Sequence, residues 1–415
     1  MKRFLTILVF LLIPLIIKAQ ILEVKQGRSA IVKVDPTGEA EQFPDRLPSG
    51  TRVRQMGEVD RYYDILLNDG SRGWSYKGNF IVISEDDTTA NNVTNVVTEQ
   101  SLMSRSDVLK IIIVDVEVGD ATIIICPAED GERNVLVIDT GVDDGDRIKN
   151  ILVDNGIGIS VKTVDRLYIT HYDKDHFGDA EEMIPISEII YDHGSNNLEG
   201  ADEYILAVNQ PNVDRRTMTL DYFETFSGGV DVECVAVNQA TDFDPSTSPS
   251  TSGDNPNSIA LIISYNGFDY FTGGDLTFKP EKSLATGIRN CDVYHEDHHG
   301  SKATSSDSTF LVKLDPEVSI ASNGTKYGHP SAAVAQRLIS LGSMHLQTNL
   351  NEDPRAYQKD LKYIADDTYY DENELEEEEG ALGNITVVVD AVNDSYYIIM
   401  PGLPLSEATF PIEHN

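Results

Sequence analysis

What this 415-residue chain lacks narrows its chemistry first. It has one tryptophan and three cysteines. Cys126, Cys234 and Cys291 are too few for a disulfide framework, and an odd count leaves at least one unpaired. No C-x-x-C arrangement offers a thiolate metal site or a redox pair. Cys126 closes the apolar run Ile123-Ile124-Ile125 and Cys234 lies in a strand-like segment, so the thiols read as small buried apolar groups. Positive charge is scarce: Lys+Arg number 32 against 69 Asp+Glu, a formal net charge of -37 with no basic cluster. Affinity for nucleic acid comes chiefly from cations that neutralise phosphates, so a long polyanion is a disfavoured partner. Long apolar runs are also missing. The stretch Phe4 to Ile17 falls short of the roughly twenty residues that a membrane span needs. Flanked by Met1-Lys2-Arg3 and Lys18-Ala19-Gln20, it reads as a secretory signal peptide over 1–19. The expectation is an exported protein, periplasmic or secreted, with no stable membrane span after signal removal. No internal repeat is present.

The length allows two or three domains with a sizeable core. Residues 20–85 read as short strands broken by turns, with Asn68-Asp69-Gly70 between two alternating apolar segments as a hairpin signal. Trp74 is expected to pack in that small core. Residues 86–106 are polar and read as a linker. Two further polar stretches, Asp242 to Asn257 and Asp371 to Glu379 with its run Glu376 to Glu379, read as surface insertions. Residues 107–415 alternate apolar strands with helical spacing, such as Ile148, Ile151 and Leu152, and read as an α/β domain.

The most informative stretch is Thr170-His171-Tyr172-Asp173-Lys174-Asp175-His176. Two histidines and two aspartates follow the apolar run Leu167-Tyr168-Ile169, so one strand end delivers several ligands of the kinds that hold a transition metal. Further on come Thr272-Gly273-Gly274-Asp275, then His295-Glu296-Asp297-His298-His299-Gly300-Ser301, then Gly328-His329-Pro330. In this order the motifs resemble those of the metallo-β-lactamase-fold hydrolases, in the H-x-D-x-D-H variant of the ComEC-like branch. The resemblance runs from about Val108 to Met400. Residues 20–85 are similar to a bacterial SH3-like domain.

The resemblance implies an αββα sandwich preceded by a small all-β SH3-like barrel. It implies metal ligands His171, Asp173, Asp175, His176 and Asp275, the last bridging two ions. His298 or His299 would complete the second site, with His298 preferred as nearer the strand end. Asn238 stands where many members carry a histidine, which leaves the first site poorer in imidazole. Asp139 would support the metal loop by hydrogen bonds, and His193 would sit at the rim. Ser301, Lys302 and His329 would meet the substrate, with His329 as proton donor. Asp175 and Asp275 would position a metal-activated water. The implied cofactor is zinc, one or two per chain, with manganese an alternative suited to the carboxylates. The implied reaction is hydrolysis of a small or wall-linked phosphodiester. The rival expectations are an extracellular nuclease, a wall-binding protein with a non-catalytic hydrolase domain, and a lactone or β-lactam hydrolase. The SH3-like module would take a cell-wall peptide.

Overall fold

The computed structural model describes residues 21–25, 30–34, 47, 52–59, 61–66, 72–83, 97–142, 145–194, 201–324, 327–350, 361–366 and 383–412. The leader stretch, the Asn68-Asp69-Gly70 turn and the acidic run at 376–379 lie outside the described residues. No helix among the described residues is long and apolar enough to cross a membrane. The chain divides into two compact units, 1–98 and 99–415.

The described residues of the first unit form a six-stranded antiparallel sheet. Its strands run Val32–Lys33, Arg72–Tyr76, Tyr62–Leu66, Arg52–Val59, Ile21–Val24 and Phe80–Ile83 across the sheet. Leu22, Val24, Ala30, Val32, Val53, Ile65 and Phe80 form the core. Trp74 is only half-buried and lies outside this cluster, contrary to the expectation. Strand alternation explains the difference. Gly73 and Ser75 are buried, so the residue between them points to the other face.

In the second unit, the reason for the continuous apolar strands is visible in what each face touches. Leu109, Ile111 and Ile113 pack into a core shared with Val232, Cys234, Leu261 and Ile263 of a second sheet. Their neighbours Ile112 and Val114 pack instead against Ile148, Ile151 and Leu152 of the helix Gly145–Asp154. The second sheet repeats the pattern. Ala260 and Ile262 face Phe310, Leu311, Val334 and Leu338 of two helices, Ser308–Leu314 and Ala332–Leu341. A strand buried on both faces is apolar at nearly every position, and the buried exception in Leu109–Ile113, Lys110, meets Asn155 Oδ1 at 3.2 Å. Three cores therefore separate four layers, helix, sheet, sheet and helix, in a mixed α/β architecture. Cys126, Cys234 and Cys291 are free and buried.

Among the described residues each sheet of this unit has nine strands. In the first, Val135–Ile138, Val164–Tyr168, Ser187–Asp192 and Asp214–Thr217 run parallel in sequence order. In the second, Phe268–Thr272, Val293–His295, Val318–Ala321 and Met344–Asn349 do the same. Parallel strands release all their C-terminal ends on one rim, and both rims carry the candidate ligands. The stretch read as a linker already belongs in part to this unit. The helix Glu99–Met103 buries Leu102, and Arg105 pairs with Asp390.

Asp292, just before Val293–His295, accepts from the Asp269 amide at 2.7 Å. Burial, opposed by that amide and helped by the charges of Asp269 and Glu317, pushes its carboxyl up to about 6. A carboxyl raised on folding contributes stability that is complete below its unfolded value of about 3.9 and is lost as pH rises through the folded value. Asp292→Asn keeps an oxygen acceptor for the Asp269 amide. Thermal melts from pH 4 to 7 should show a smaller decline for the variant than for the parent, and parallel declines would refute this account of Asp292.

Candidate metal centre

The strand ends and their loops build the site. Asp120 lies two residues before the strand Thr122–Ile125, Asp139 follows Val135–Ile138, and His171 to His176 follow Val164–Tyr168. From the second sheet, Asp275 follows Phe268–Thr272 and the two histidines follow Val293–His295. Close approach of loops is needed to bring these together. Gly119 has φ +121°, and a Cβ there would strike the Asp175 carbonyl. Its successor Asp120 donates its amide to that same carbonyl at 3.1 Å.

Asp275 is the meeting point. Its Oδ1 lies 3.1 Å from His176 Nε2 and 3.5 Å from His299 Nε2. Its Oδ2 lies 3.3 Å from His298 Nε2 and 3.7 Å from His171 Nε2. Each imidazole is aimed by a contact to its other nitrogen. Asp139 Oδ2 holds His176 Nδ1 at 2.8 Å, and the Ser322 carbonyl accepts from His299 Nδ1 at 3.0 Å. Thr304 Oγ1 meets His298 Nδ1 at 2.7 Å, and Thr170 Oγ1 meets His171 Nδ1 at 3.2 Å. Asp139 also accepts from the Thr170 amide and hydroxyl at 2.8 and 2.7 Å, which fixes the start of the ligand loop. Asp175 Oδ2 is 3.7 Å from His299 Nε2, and Asp120 Oδ1 is 3.4 Å from His299 Nδ1. Asp173 reaches His171 at 3.5 Å from a half-exposed position.

The electrostatics show what the site demands. Burial alone would raise the Asp275 carboxyl, but the histidines, His176 and His299 foremost, hold it well below the carboxylate range. Asp175 is likewise lowered to about 2 against burial, chiefly by its contact with His299 and the charge of His176. Burial works to lower His176 and His299, yet the carboxylates raise both well above the usual imidazole value. The cluster therefore calls for positive charge. The donor atoms fit a cation that would supply it. His171 Nε2, His176 Nε2, His299 Nε2, Asp120 Oδ1 and Asp275 Oδ1 are all buried without an aligned hydrogen-bond partner. They also fall into groups of three whose ligand atoms lie within 4.8 Å of one another. Nitrogen and carboxylate oxygen together suit a zinc- or manganese-class ion.

Asp173, Asp175, Asp275, His298, His299 and His329 all line one cleft of about 690 Å³, with Lys174, Glu117 and Tyr327 at its wall. His171 and His176 are fully buried behind it. Both members of the His298-His299 pair point at Asp275, because both have left-handed backbone, φ 51° and 54°. Such strain in adjacent non-glycine residues is rare outside functional sites. Ser301 and Lys302 are not among the residues that line this cleft. The Ser301 hydroxyl is buried and accepts from Thr304 at 3.1 Å, and Lys302 is exposed. His193 pairs with Asp254 at 3.0 Å, and Asn238 donates to the His193 carbonyl at 2.8 Å, so neither joins the cluster. Asp120, Asp254 and Asn255 were not foreseen. The last two lie in the polar segment read as a surface insertion, yet Asn255 donates to Asp275 Oδ2 at 2.7 Å. The doublet Gly119-Asp120 was the available signal for the first.

No family model matches the chain. It is similar to ComE operon protein 3 of Bacillus subtilis (strain 168), with 26% identity over 198 residues, 46% of this chain and 24% of that protein. It is similar also to competence protein ComA of Neisseria gonorrhoeae, with 29% identity over 198 residues, 46% of this chain and 25% of that protein. The chain thus spans about a quarter of the length of these curated relatives. Among solved structures it is similar to Zn2+-bound PqqB from Methylobacterium extorquens, with 12% identity and a TM-score of 0.38 over 56% of this chain and 87% of that one.

Asp139 touches no cleft surface and acts only through His176 and Thr170. Removing such a support typically weakens metal affinity about 10–100-fold. Asp139→Ala should show that loss when zinc binding is titrated against a chelator. Affinity equal to the parent's would mean that His176 is oriented by packing alone.

Proposed function

We propose that the 99–415 unit is a metal-dependent hydrolase that delivers water to an ester, with a small phosphodiester as its substrate class. The observation that carries the reading is the convergence of His171, His176, His298 and His299 on the two oxygens of one buried carboxylate, Asp275. His171, Asp173, His298 and Asp275 Oδ2 would hold one ion, and Asp120, Asp175, His176, His299 and Asp275 Oδ1 another. When bound, such ions supply Lewis-acid polarisation and a nucleophile at neutral pH.

The chain's own groups do the rest. Asp175 stays ionised and lines the cleft, so its carboxylate can accept a proton from the attacking water. The Asp139 contact keeps the His176 proton on Nδ1 and leaves Nε2 as the ligand atom. His329 is held neutral, because burial and the nearby His299 and His298 push it down to about 4. It serves as a hydrogen-bond donor to a substrate oxygen through its single N–H. Among the described lining residues Lys174 is the one permanent cation, flanked by Asp173 and Asp175. That supports one anionic group in the cleft rather than a tracked polyanion, in keeping with the net charge of -37. The preference for phosphorus over carbon rests on the resemblance to the ComEC-like branch, since fold does not fix substrate.

The test is bound metal per chain together with turnover of bis(p-nitrophenyl) phosphate. Turnover should vanish with a chelator, return with added ion, and fall roughly 10³-fold or more in the Asp175→Ala/His176→Ala double variant, about 4 kcal/mol of barrier. Metal binding with lactone opening and no phosphodiester turnover would move the substrate to carbon. Cleavage of long DNA that declines steeply with salt would replace the small-substrate reading with a nuclease.

A further inference from the structure

The two oxygens of Asp275 face unlike surroundings. On the Oδ1 side stand His176 and His299, backed by the carboxylates of Asp120 and Asp175. On the Oδ2 side stand His171 and His298, Asp173 beyond His171, and the neutral amide of Asn255 at 2.7 Å. His171 Nε2, fully buried, looks into that second side and has no hydrogen-bond partner.

Asn255 is not there by accident of a loose loop. Its neighbour Asp254 accepts from the Tyr172 amide at 2.7 Å and the Asn257 amide group at 3.1 Å, and pairs with His193 at 3.0 Å. Tyr172 lies inside the ligand loop itself, so the same carboxylate ties the incoming segment to that loop. Pro256 then opens the short turn Asn255–Asn257 with its φ preset. Three anchors and a stiff turn hold the amide against Asp275 while the polar remainder of the segment runs over the surface.

We propose that Asn255 belongs to the cation pocket on the Oδ2 side of Asp275, and that its amide oxygen is a neutral ligand there for a manganese-class ion. The inference rests on the metal-centre reading above. A carboxamide carries its oxygen and its NH2 on one carbon, and half a turn of the terminal torsion exchanges them. With protein groups alone, the NH2 meets the carboxylate. Beside a cation the oxygen is the only atom of the amide that can ligate. Carbonyl and carboxylate oxygen favour manganese and magnesium, whereas added imidazole favours zinc. A neutral donor also adds no charge, so this pocket binds less tightly than the carboxylate-rich one.

The experiment uses the full chain stripped of metal. Mn2+ is titrated with the free ion followed by electron paramagnetic resonance, and Zn2+ is titrated by competition with a chromophoric chelator. The parent should take two Mn2+ per chain. Asn255→Ala should keep one at parental affinity and weaken the other about 10–100-fold. Asn255→Asp, which restores an oxygen and removes the NH2 donor, should retain both. Asn255→His should shift that pocket toward Zn2+ by roughly tenfold or more. Melts of the metal-free proteins check folding, and the near-isosteric Asp variant keeps the test decisive if the alanine variant is unstable. Unchanged Mn2+ affinities in Asn255→Ala, beside a clear loss in His176→Ala, overturn the role of Asn255 alone. Equal damage from Asn255→Asp and Asn255→Ala overturns it too, since the amide would then be only a donor to Asp275. A parent that binds neither ion overturns the metal centre itself.

Discussion

The carboxylate of Asp275 is the constraint on which the site depends. A buried anion is costly unless opposite charge and hydrogen-bond donors surround it. Here imidazoles approach both oxygens, and an amide closes the remaining direction. The loops conform to that requirement. Gly274, with φ +53°, lets the chain pass against Thr170, and the Asp275 side chain then enters the cluster from the second sheet. His298 and His299 accept left-handed backbone so that both rings enter it as well. Backbone strain of this kind costs on the order of 1–3 kcal/mol per residue and persists only where the surroundings over-determine it.

A second layer of contacts turns a cluster of polar groups into an ordered centre. Asp139, Thr170, Thr304 and the Ser322 carbonyl each hold one ring nitrogen, so the opposite nitrogen has one place to point. The Asp254–His193 pair does similar work one step further out, by clamping the Tyr172 amide and presenting Asn255. Preorganisation of this sort is what separates a site from a mere concentration of acidic residues.

Much of this was legible in the chain. Apolar runs such as Ile111 to Val114 announced strands buried on both faces, and the positions of His171 to His176 and Asp275 at strand ends followed from the run that precedes each. The support role of Asp139 could be read from motif order. Other features could not be read, for physical reasons. The choice between His298 and His299 depends on two left-handed torsions that no side-chain identity dictates, and the structure turns both inward. Asp120 carries only the weak signal of a Gly-Asp doublet. Asp254 and Asn255 were hidden by composition, because a Ser-, Pro- and Asp-rich segment looks like surface whether or not its last turn docks. Ser301 closes the His-His-Gly-Ser motif, and its buried hydroxyl accepts from Thr304. Trp74 shows the same limit in the smaller unit, where strand phase outranks hydrophobicity.

The candidate ligands come from two separate sheets: Asp120, His171 and His176 from the rim of one, Asp275, His298 and His299 from the rim of the other. Neither sheet alone carries a complete set. A cation can therefore be captured only once the halves have closed on each other, and every ion captured opposes their reopening. Free ion at a hundredfold excess over its dissociation constant adds about 2.7 kcal/mol to the closed form. An ion held there would act as a clasp across the two sheets, so that its loss would loosen both halves together rather than one loop at a time.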